Sequence, residues 1–405
     1  MKYISGGVTA PKGFQAAGVH CGVKANSGDK KDVALIVSDT PCAAAGVFTR
    51  NQVKAAPIYI TMEHLADGML QGVVANSGNA NACAPFGKEN AKRMTLAAAR
   101  VTGLHPEDFA VASTGVIGVT LNIEAVEAGI AQAGKQLSSD GSDDAGQAIL
   151  TTDTMKKEVA VEVELGGKPV KLGSITKGSG MIHPNMGTML SFVTTDCVVD
   201  TALLQKMLVE IAAKTFNRIT VDGDTSTNDT CLVLANGLAG NPALVEGSAD
   251  YQAFYEALKA VCEYGAKKIA ADGEGAGRLV TCTVTGVKTE EKAEKMAKAV
   301  AGSSLVKAAM FGADANWGRV LCAIGYSGAE FDPEDVEVKF FSTAGELLVC
   351  QKGAGISFDE EIAKQILTQP EVTIMVTLTE GDASATCWGC DLTYDYVKIN
   401  GDYRS

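Results

Sequence analysis

The chain has 405 residues, 46% apolar and 20% charged, the profile of a soluble globular protein large enough for one big domain or two ordinary ones. A formal net charge of −13 repels a phosphate backbone, so nucleic acid is not an expected partner. No run of 18 apolar residues suits a membrane span, the opening MKYISGGVTAPKGF lacks a secretory h-region, and eleven cysteines without framework spacing point to reduced thiols in a cytoplasm.

In chain order, apolar runs predict strands at Asp32–Asp39, Ala56–Met62 and Leu70–Asn76. A helical pattern follows at Asn90–Val101, a strand at Asp108–Ser113, and helix from Ile123 to Leu137, continuing in pieces to Leu150. Glu158–Leu165 alternates apolar and polar residues, and Gly166–Lys168 turns it into a hairpin with Pro169–Ile175. Met189–Val198 reads as a strand, and Ala202–Phe216 as an amphipathic helix with Leu203, Leu204, Met207, Leu208 and Ile211 on one face. Further strands are expected at Cys231–Ala235, Leu279–Val287, Val320–Ile324, Val336–Phe341, Glu346–Cys350 and Val372–Leu378. Helices fit Tyr251–Ala270, Glu290–Val300 and Glu360–Leu367. Strands and helices segregate in part, so the expected class is α+β, with layered sheets and helices. Neither an internal repeat nor a Pro- or Ser-rich linker divides the chain, and its halves are expected to share one core.

Several familiar signatures fail. GEGAG at Gly273–Gly277 follows a helical pattern and precedes a strand, the reverse of a dinucleotide-binding turn. The phosphate-loop spacing from Gly173 to Gly178 puts Ser179 where Lys is needed. His20, His64, His105 and His183 form no pair at zinc spacing, and Cys387–Cys390 is a CxxC within a strand-like stretch, better read as two buried thiols. No metal or other cofactor is expected.

Chemistry concentrates in Lys177–Leu190, KGSGMIHPNMGTML, where a Gly-rich loop leads into Thr188 at the start of a strand. By itself this is also an ordinary loop that opens a strand. As an N-terminal nucleophile, Thr188 would attack the carbonyl of Gly187, and hydrolysis of the resulting ester would free its α-amine. An unperturbed α-amine titrates at about 7.7–8.0, so a neutral fraction exists near pH 7 to act as general base. One residue then supplies nucleophile and base, which suits a chain with four histidines.

This segment resembles the cleavage site of the ornithine acetyltransferase family, the bifunctional acetyltransferases of arginine biosynthesis. The resemblance runs through the whole chain in order. It includes GGVTAPKGFQAAG at Gly6–Gly18, NSGNANAC at Asn76–Cys83, Ser113-Thr114-Gly115, TTDT at Thr151–Thr154, DGDTSTNDT at Asp222–Thr230, DGEGAGR at Asp272–Arg278, GADANWGR at Gly312–Arg319 and the closing YVKINGDYRS. It implies a self-cleaving N-terminal-nucleophile fold like that of the β-aminopeptidases, with an α chain of 1–187 and a β chain of 188–405 assembled as α2β2. It implies Thr188 as nucleophile, Gly187–Thr188 as the cleavage site and an oxyanion hole at Thr114 and Gly115. Substrate contacts fall on Thr151 (with Thr152 one residue away), Lys177, Thr188, Glu274, Asn400 and Ser405. The implied reaction is ping-pong transfer of an acetyl group from N-acetylornithine to glutamate, with acetyl-CoA as a possible further donor.

Read as chemistry, Lys177 suits a substrate α-carboxylate and Glu274 the ammonium of ornithine. Thr114 and Gly115 also fit a plain turn after the strand, and a chain's last residues are ordinarily loose. DTSTNDT suggests a buried polar network near the site or a series of turns, without individual roles. Two positions depart from the family pattern: Gly187 and His183 each stand where Ala is usual, and His183 is expected to face solvent. The competing readings are a self-cleaving hydrolase of the same fold and an uncleaved, non-catalytic relative.

Overall fold

The computed structural model describes residues 1–24, 28–183 and 189–402. Nine strands form the first sheet: β1 (Lys2–Ile4), β2 (Phe14–Val19), β3 (Val33–Phe48), β4 (Met69–Asn79), β5 (Phe109–Val116), β6 (Lys157–Leu165), β7 (Lys168–Lys177), β8 (Leu190–Thr195) and β9 (Thr230–Ala235). Their order is β1-β6-β7-β8-β9-β3-β4-β5, with β2 also paired to β3. Pairs β4–β5 and β8–β9 are parallel and the others antiparallel. The second sheet, in the order β13-β12-β11-β14-β10-β15, comes wholly from the last third of the chain. Its strands are β10 (Leu279–Val287), β11 (Glu337–Ser342), β12 (Gly345–Gln351), β13 (Ala354–Gly355), β14 (Glu371–Thr377) and β15 (Ala383–Cys390).

Helices cover both faces of the first sheet. They run as α1 (Ala56–His64), α2 (Gly87–Thr102), α3 (Ile123–Gly134), α4 (Ser142–Ala148), α5 (Thr201–Lys214) and α6 (Ala249–Ala271). The remainder are α7 (Glu290–Gly302), α8 (Ser304–Phe311), α9 (Trp317–Gly325), α10 (Glu360–Leu367) and α11 (Tyr394–Asp402). Strand β8 shows what this covering requires of sequence. Leu190 and Phe192 face a cluster that includes Ala145 and Ala148 of α4, while Val193 faces the cluster of α5 and α6. Every residue of β8 and β9 is buried, so both read as continuous runs with no polar face to solvent. Burying Phe192, 1% exposed, contributes about 1.5–3 kcal/mol. Strand β8 starts just after the expected cleavage point and pairs with β7 before it and β9 beyond it. Residues from both sides of position 188 therefore build one sheet.

Two expected strands are helices. Ala56–Met62 lies in α1, where Pro57 in the first turn brings a helical φ and needs no hydrogen-bonded N–H. A short apolar run does not by itself distinguish strand from buried helix. Val320–Ile324 lies in α9, where Asn316 accepts from the Arg319 N–H at 3.1 Å and Val320, Ala323 and Ile324 share the buried face. Helices α8 and α11 were not legible in the sequence.

Candidate active site

Thr114, Gly115, Thr151, Thr152, Lys177, Glu274 and Asn400 line one cavity of about 130 Å3. That is well under the ~300–1,000 Å3 of pockets for drug-sized ligands, so its scale suits a single small molecule. Met189 and Leu190 line the same cavity. Gly187, Thr188 and Ser405 lie outside the described residues.

Strand β5 carries the first wall. It runs parallel to β4 with Ser77 opposite Thr114 and Gly78 opposite Gly115, and the register slips just beyond. Gly115 has φ +131°, and a Cβ there would stand 2.4 Å from the Gly78 carbonyl carbon, so only glycine fits. The Asn-rich end of β4 braces this wall. Asn76 accepts from the Ser113 hydroxyl at 2.6 Å and donates to Asn79 O at 2.9 Å. Asn228 donates across to Ala80 O at 2.6 Å and Ser113 O at 2.8 Å. Thr114 and Gly115 thus sit at the end of a strand, and the plain-turn alternative is replaced by a braced, strained edge.

Lys177 closes β7. Its ammonium donates to Thr151 Oγ1 at 2.8 Å and reaches Thr114 Oγ1 at 3.5 Å and Asp153 at 3.7 Å. Asp153 accepts from the Gly178 N–H at 2.8 Å, the Thr151 N–H at 3.0 Å and Lys157 Nζ at 2.7 Å. Burial pushes the Asp153 carboxyl up, yet the ammonium groups of Lys177 and Lys157 outweigh it and hold the carboxyl well below the usual range. Lys157 also binds Asp272 at 2.6 Å. Asp272 accepts from Thr154 through both backbone N–H and hydroxyl, so the TTDT segment and the end of α6 are tied to one buried ammonium.

Just past α6, the Glu274 N–H donates to Ser179 O at 3.2 Å, holding the Glu274 side chain against the Gly-rich loop. A Cβ on Gly180 would lie 2.4 Å from that carboxylate. Asn400 of α11 donates to Glu274 Oε2 at 2.8 Å, and Thr393 donates to Gly275 O at 2.6 Å. The C-terminal helix is therefore fastened to the site up to its last turn, where a loose tail was the ordinary expectation. Nearby, the Asp222 carboxyl accepts from the Met181 and Ile182 N–H groups at 2.6 and 2.8 Å.

Residues 15–405 match the ArgJ family. The chain belongs to the ArgJ family. An arginine biosynthesis bifunctional protein ArgJ from Symbiobacterium thermophilum is 55% identical over 406 residues, with all of both chains covered. A crystal structure of an arginine biosynthesis bifunctional protein from Bacillus halodurans matches 53% of this chain and 100% of its own, at 48% identity and a TM-score of 0.51. An ornithine acetyltransferase from Mycobacterium tuberculosis, solved with ornithine, is 38% identical over 46% of this chain and 98% of its own, with a TM-score of 0.42.

This ArgJ-family chain departs from one sequence expectation near the site. His183 is half-buried, with Nδ1 3.0 Å from Thr220 Oγ1, where a solvent-facing ring was expected. Burial, with Lys298 nearby, lowers its pKa to about 4, so the ring is neutral across the physiological range. Cys387 and Cys390 are buried thiols, and burial pushes Cys387 up to about 12. No group of three or more metal-ligating side chains occurs among the described residues. Sequence reasoning missed Asp153, Lys157 and Asp272 as a buried ion network, and Asp229 as a wall of the cavity.

Proposed function

We propose that this chain transfers an acetyl group from N-acetylornithine to glutamate through an ester on Thr188, after cutting itself at Gly187–Thr188. The observation that carries the reading is convergence: six candidate residues from five separate segments line one small cavity, and Met189, next to Thr188 in sequence, lines it too. The α-amine of Thr188 accepts the hydroxyl proton as Oγ attacks the acetyl carbonyl. The Thr114 hydroxyl and the Gly115 N–H are suited to donate hydrogen bonds to the oxyanion while keeping their own protons. Lys177, oriented by Asp153 and Thr151, takes the α-carboxylate of either substrate. Glu274, oriented by Asn400, takes the ornithine ammonium, and Thr151 and Ser405 complete the contacts. Ornithine leaves with the amine's proton, and glutamate then removes the acetyl group by the reverse steps.

Support for the cut comes from the solved Bacillus halodurans chain, matched along its whole length by 53% of this chain, close to the share that residues 188–405 make up. Fragments that share a sheet stay together after cleavage, and an α2β2 assembly in the cytoplasm follows from the family resemblance. The deciding test mixes purified protein with N-acetylornithine and glutamate without coenzyme A and follows products by mass spectrometry. Equal amounts of ornithine and N-acetylglutamate are expected. Ornithine with free acetate would make the enzyme a hydrolase and overturn the transfer step. Replacing N-acetylornithine by acetyl-CoA reads whether the acetyl group also enters from a thioester.

A further inference from the structure

Strand β5 ends the first sheet, so one of its edges has no neighbouring strand among the described residues. The carbonyls of Phe109, Val111 and Ser113, spaced two residues apart, find side chains in place of that strand. His64 Nδ1 lies 2.8 Å from Phe109 O. The Thr61 hydroxyl donates to Val111 O at 2.7 Å and accepts from the Val111 N–H at 2.8 Å. Asn228 Nδ2 donates to Ser113 O at 2.8 Å. Gly115 stands next in this row, and it lines the cavity. Its N–H still follows the alternation of the strand, because the departure in backbone conformation begins at its own φ of +131°.

Asn228 is 7% exposed and lines the same cavity. Its second amide hydrogen goes to Ala80 O at 2.6 Å, so one side chain joins the strand that carries Gly115 to the segment leaving β4. The Thr227 hydroxyl donates to Asn228 Oδ1 at 2.6 Å. That bond fixes which way the amide points, since turning it over would set an oxygen against two carbonyls. With both hydrogens in use, the amide has no donor left for a substrate. The segment that carries it is itself tied down. Thr49 donates to Ser226 O at 2.7 Å, and the Asn51 side chain and the Ala55 N–H donate to Thr225 O and Thr227 O, each at 2.9 Å.

We propose that Asn228 is a positioning residue for the oxyanion hole, an inference that rests on the reading of Thr114 and Gly115 as oxyanion donors. The Ser113 carbonyl that Asn228 holds shares a planar peptide with the Thr114 N–H. Only the two backbone dihedrals of Thr114 separate that plane from the one carrying the Gly115 N–H. A donor aimed in advance at the developing charge needs no reorganisation during reaction, so a donor free to turn loses rate. Substrate binding, assigned to Lys177 and Glu274, stays in place. A residue acting in this way shows in kcat and leaves KM nearly unchanged.

The test compares steady-state transfer from N-acetylornithine to glutamate by wild type and Asn228→Asp, with kcat counted per cleaved chain. The variant keeps the shape of the side chain but sets an oxygen against the Ser113 and Ala80 carbonyls. Its kcat is expected to fall about 10- to 100-fold, with KM for N-acetylornithine within about 3-fold of wild type. A smaller loss of kcat, or a KM that rises in its place, would overturn the positioning role. If Asn228→Asp does not fold or is not cut, Thr227→Val reads the same claim, because both donors remain but the amide loses the hydroxyl that fixes its orientation. There kcat should fall about 3- to 10-fold at unchanged KM, and a wild-type kcat would overturn the proposal. Gly115→Ala separates this inference from the reading beneath it. An active Gly115→Ala enzyme defeats the oxyanion hole itself, whereas an inactive one beside a fully active Asn228→Asp overturns the role of Asn228 alone.

Discussion

Replacing Lys157 by Met removes the ammonium that bridges Asp153 and Asp272 while keeping most of the side chain's volume. The three side chains are 0%, 0% and 3% exposed, with contacts of 2.7 and 2.6 Å, so solvent screens the interaction little. Breaking a buried pair by deleting one partner costs about 3–5 kcal/mol, because the remaining charges stay buried without compensation. The assay is urea denaturation of purified wild type and Lys157→Met at several pH values. In the wild type the depressed Asp153 pKa contributes stability that is fully present above the unfolded value of about 3.9 and lost as pH falls through the folded value. In the variant, burial is opposed by Lys177 and the backbone N–H groups without Lys157, so the folded pKa of Asp153 rises and protonation relieves part of the penalty. The gap between the two proteins is therefore expected to be largest near neutral pH and to narrow toward about pH 4. Pairing Lys157→Met with Asp153→Asn should recover part of the loss. A variant within about 1 kcal/mol of wild type at neutral pH would refute the claim that this network holds the site together.

Gly115→Ala combines a φ of +131° with a Cβ 2.4 Å from the Gly78 carbonyl carbon, so kcat should fall about 100- to 1,000-fold as the oxyanion donor moves. An active Gly115→Ala enzyme would contradict that role. Glu274→Gln should raise KM for N-acetylornithine about 10-fold or more, with a smaller effect on the glutamate half-reaction, because the amide loses the charge that pairs with an ammonium. Equal losses in both half-reactions would point to a structural role instead. His183→Ala tests the buried neutral ring. The folded pKa of about 4 lies below the unfolded value of about 6.5, so wild type should lose stability relative to the variant as pH falls through that window. Parallel stability curves would show that His183 is solvated like an ordinary surface histidine.

The candidate site residues were named through motifs shared with the family, more than through chemistry or local pattern. Lys177 at a strand end and Glu274 in a Gly-rich loop suit an amino-acid substrate, but only the family resemblance named them, since a lone Lys or Glu in such places reads equally well as a solvated residue. Thr114 and Gly115 were ambiguous, since a strand edge and a turn use the same residues, and the parallel register against β4 decides between them. Lys157 was invisible because its partner Asp272 lies 115 residues away, and a single Lys at the start of an alternating strand carries no sign of burial. Asp229 disappeared into DTSTNDT, where density of donors and acceptors marks a network without showing which oxygen lacks a partner. Among the elements, long periodic helices such as α5 and α6 were readable. Short apolar runs such as α1 and α9 were not, because length and capping, more than hydrophobicity, distinguish them from strands.

The central claim is that Thr188 carries the acetyl group between substrates. The most direct measurement is to add N-acetylornithine alone to the purified protein, quench in acid and weigh both fragments by mass spectrometry. The fragment that begins at Thr188 should gain one acetyl group, with ornithine released in equal amount, and should lose it again when glutamate is added before the quench. An acetyl group on the other fragment, or ornithine release with neither fragment modified, would contradict the account.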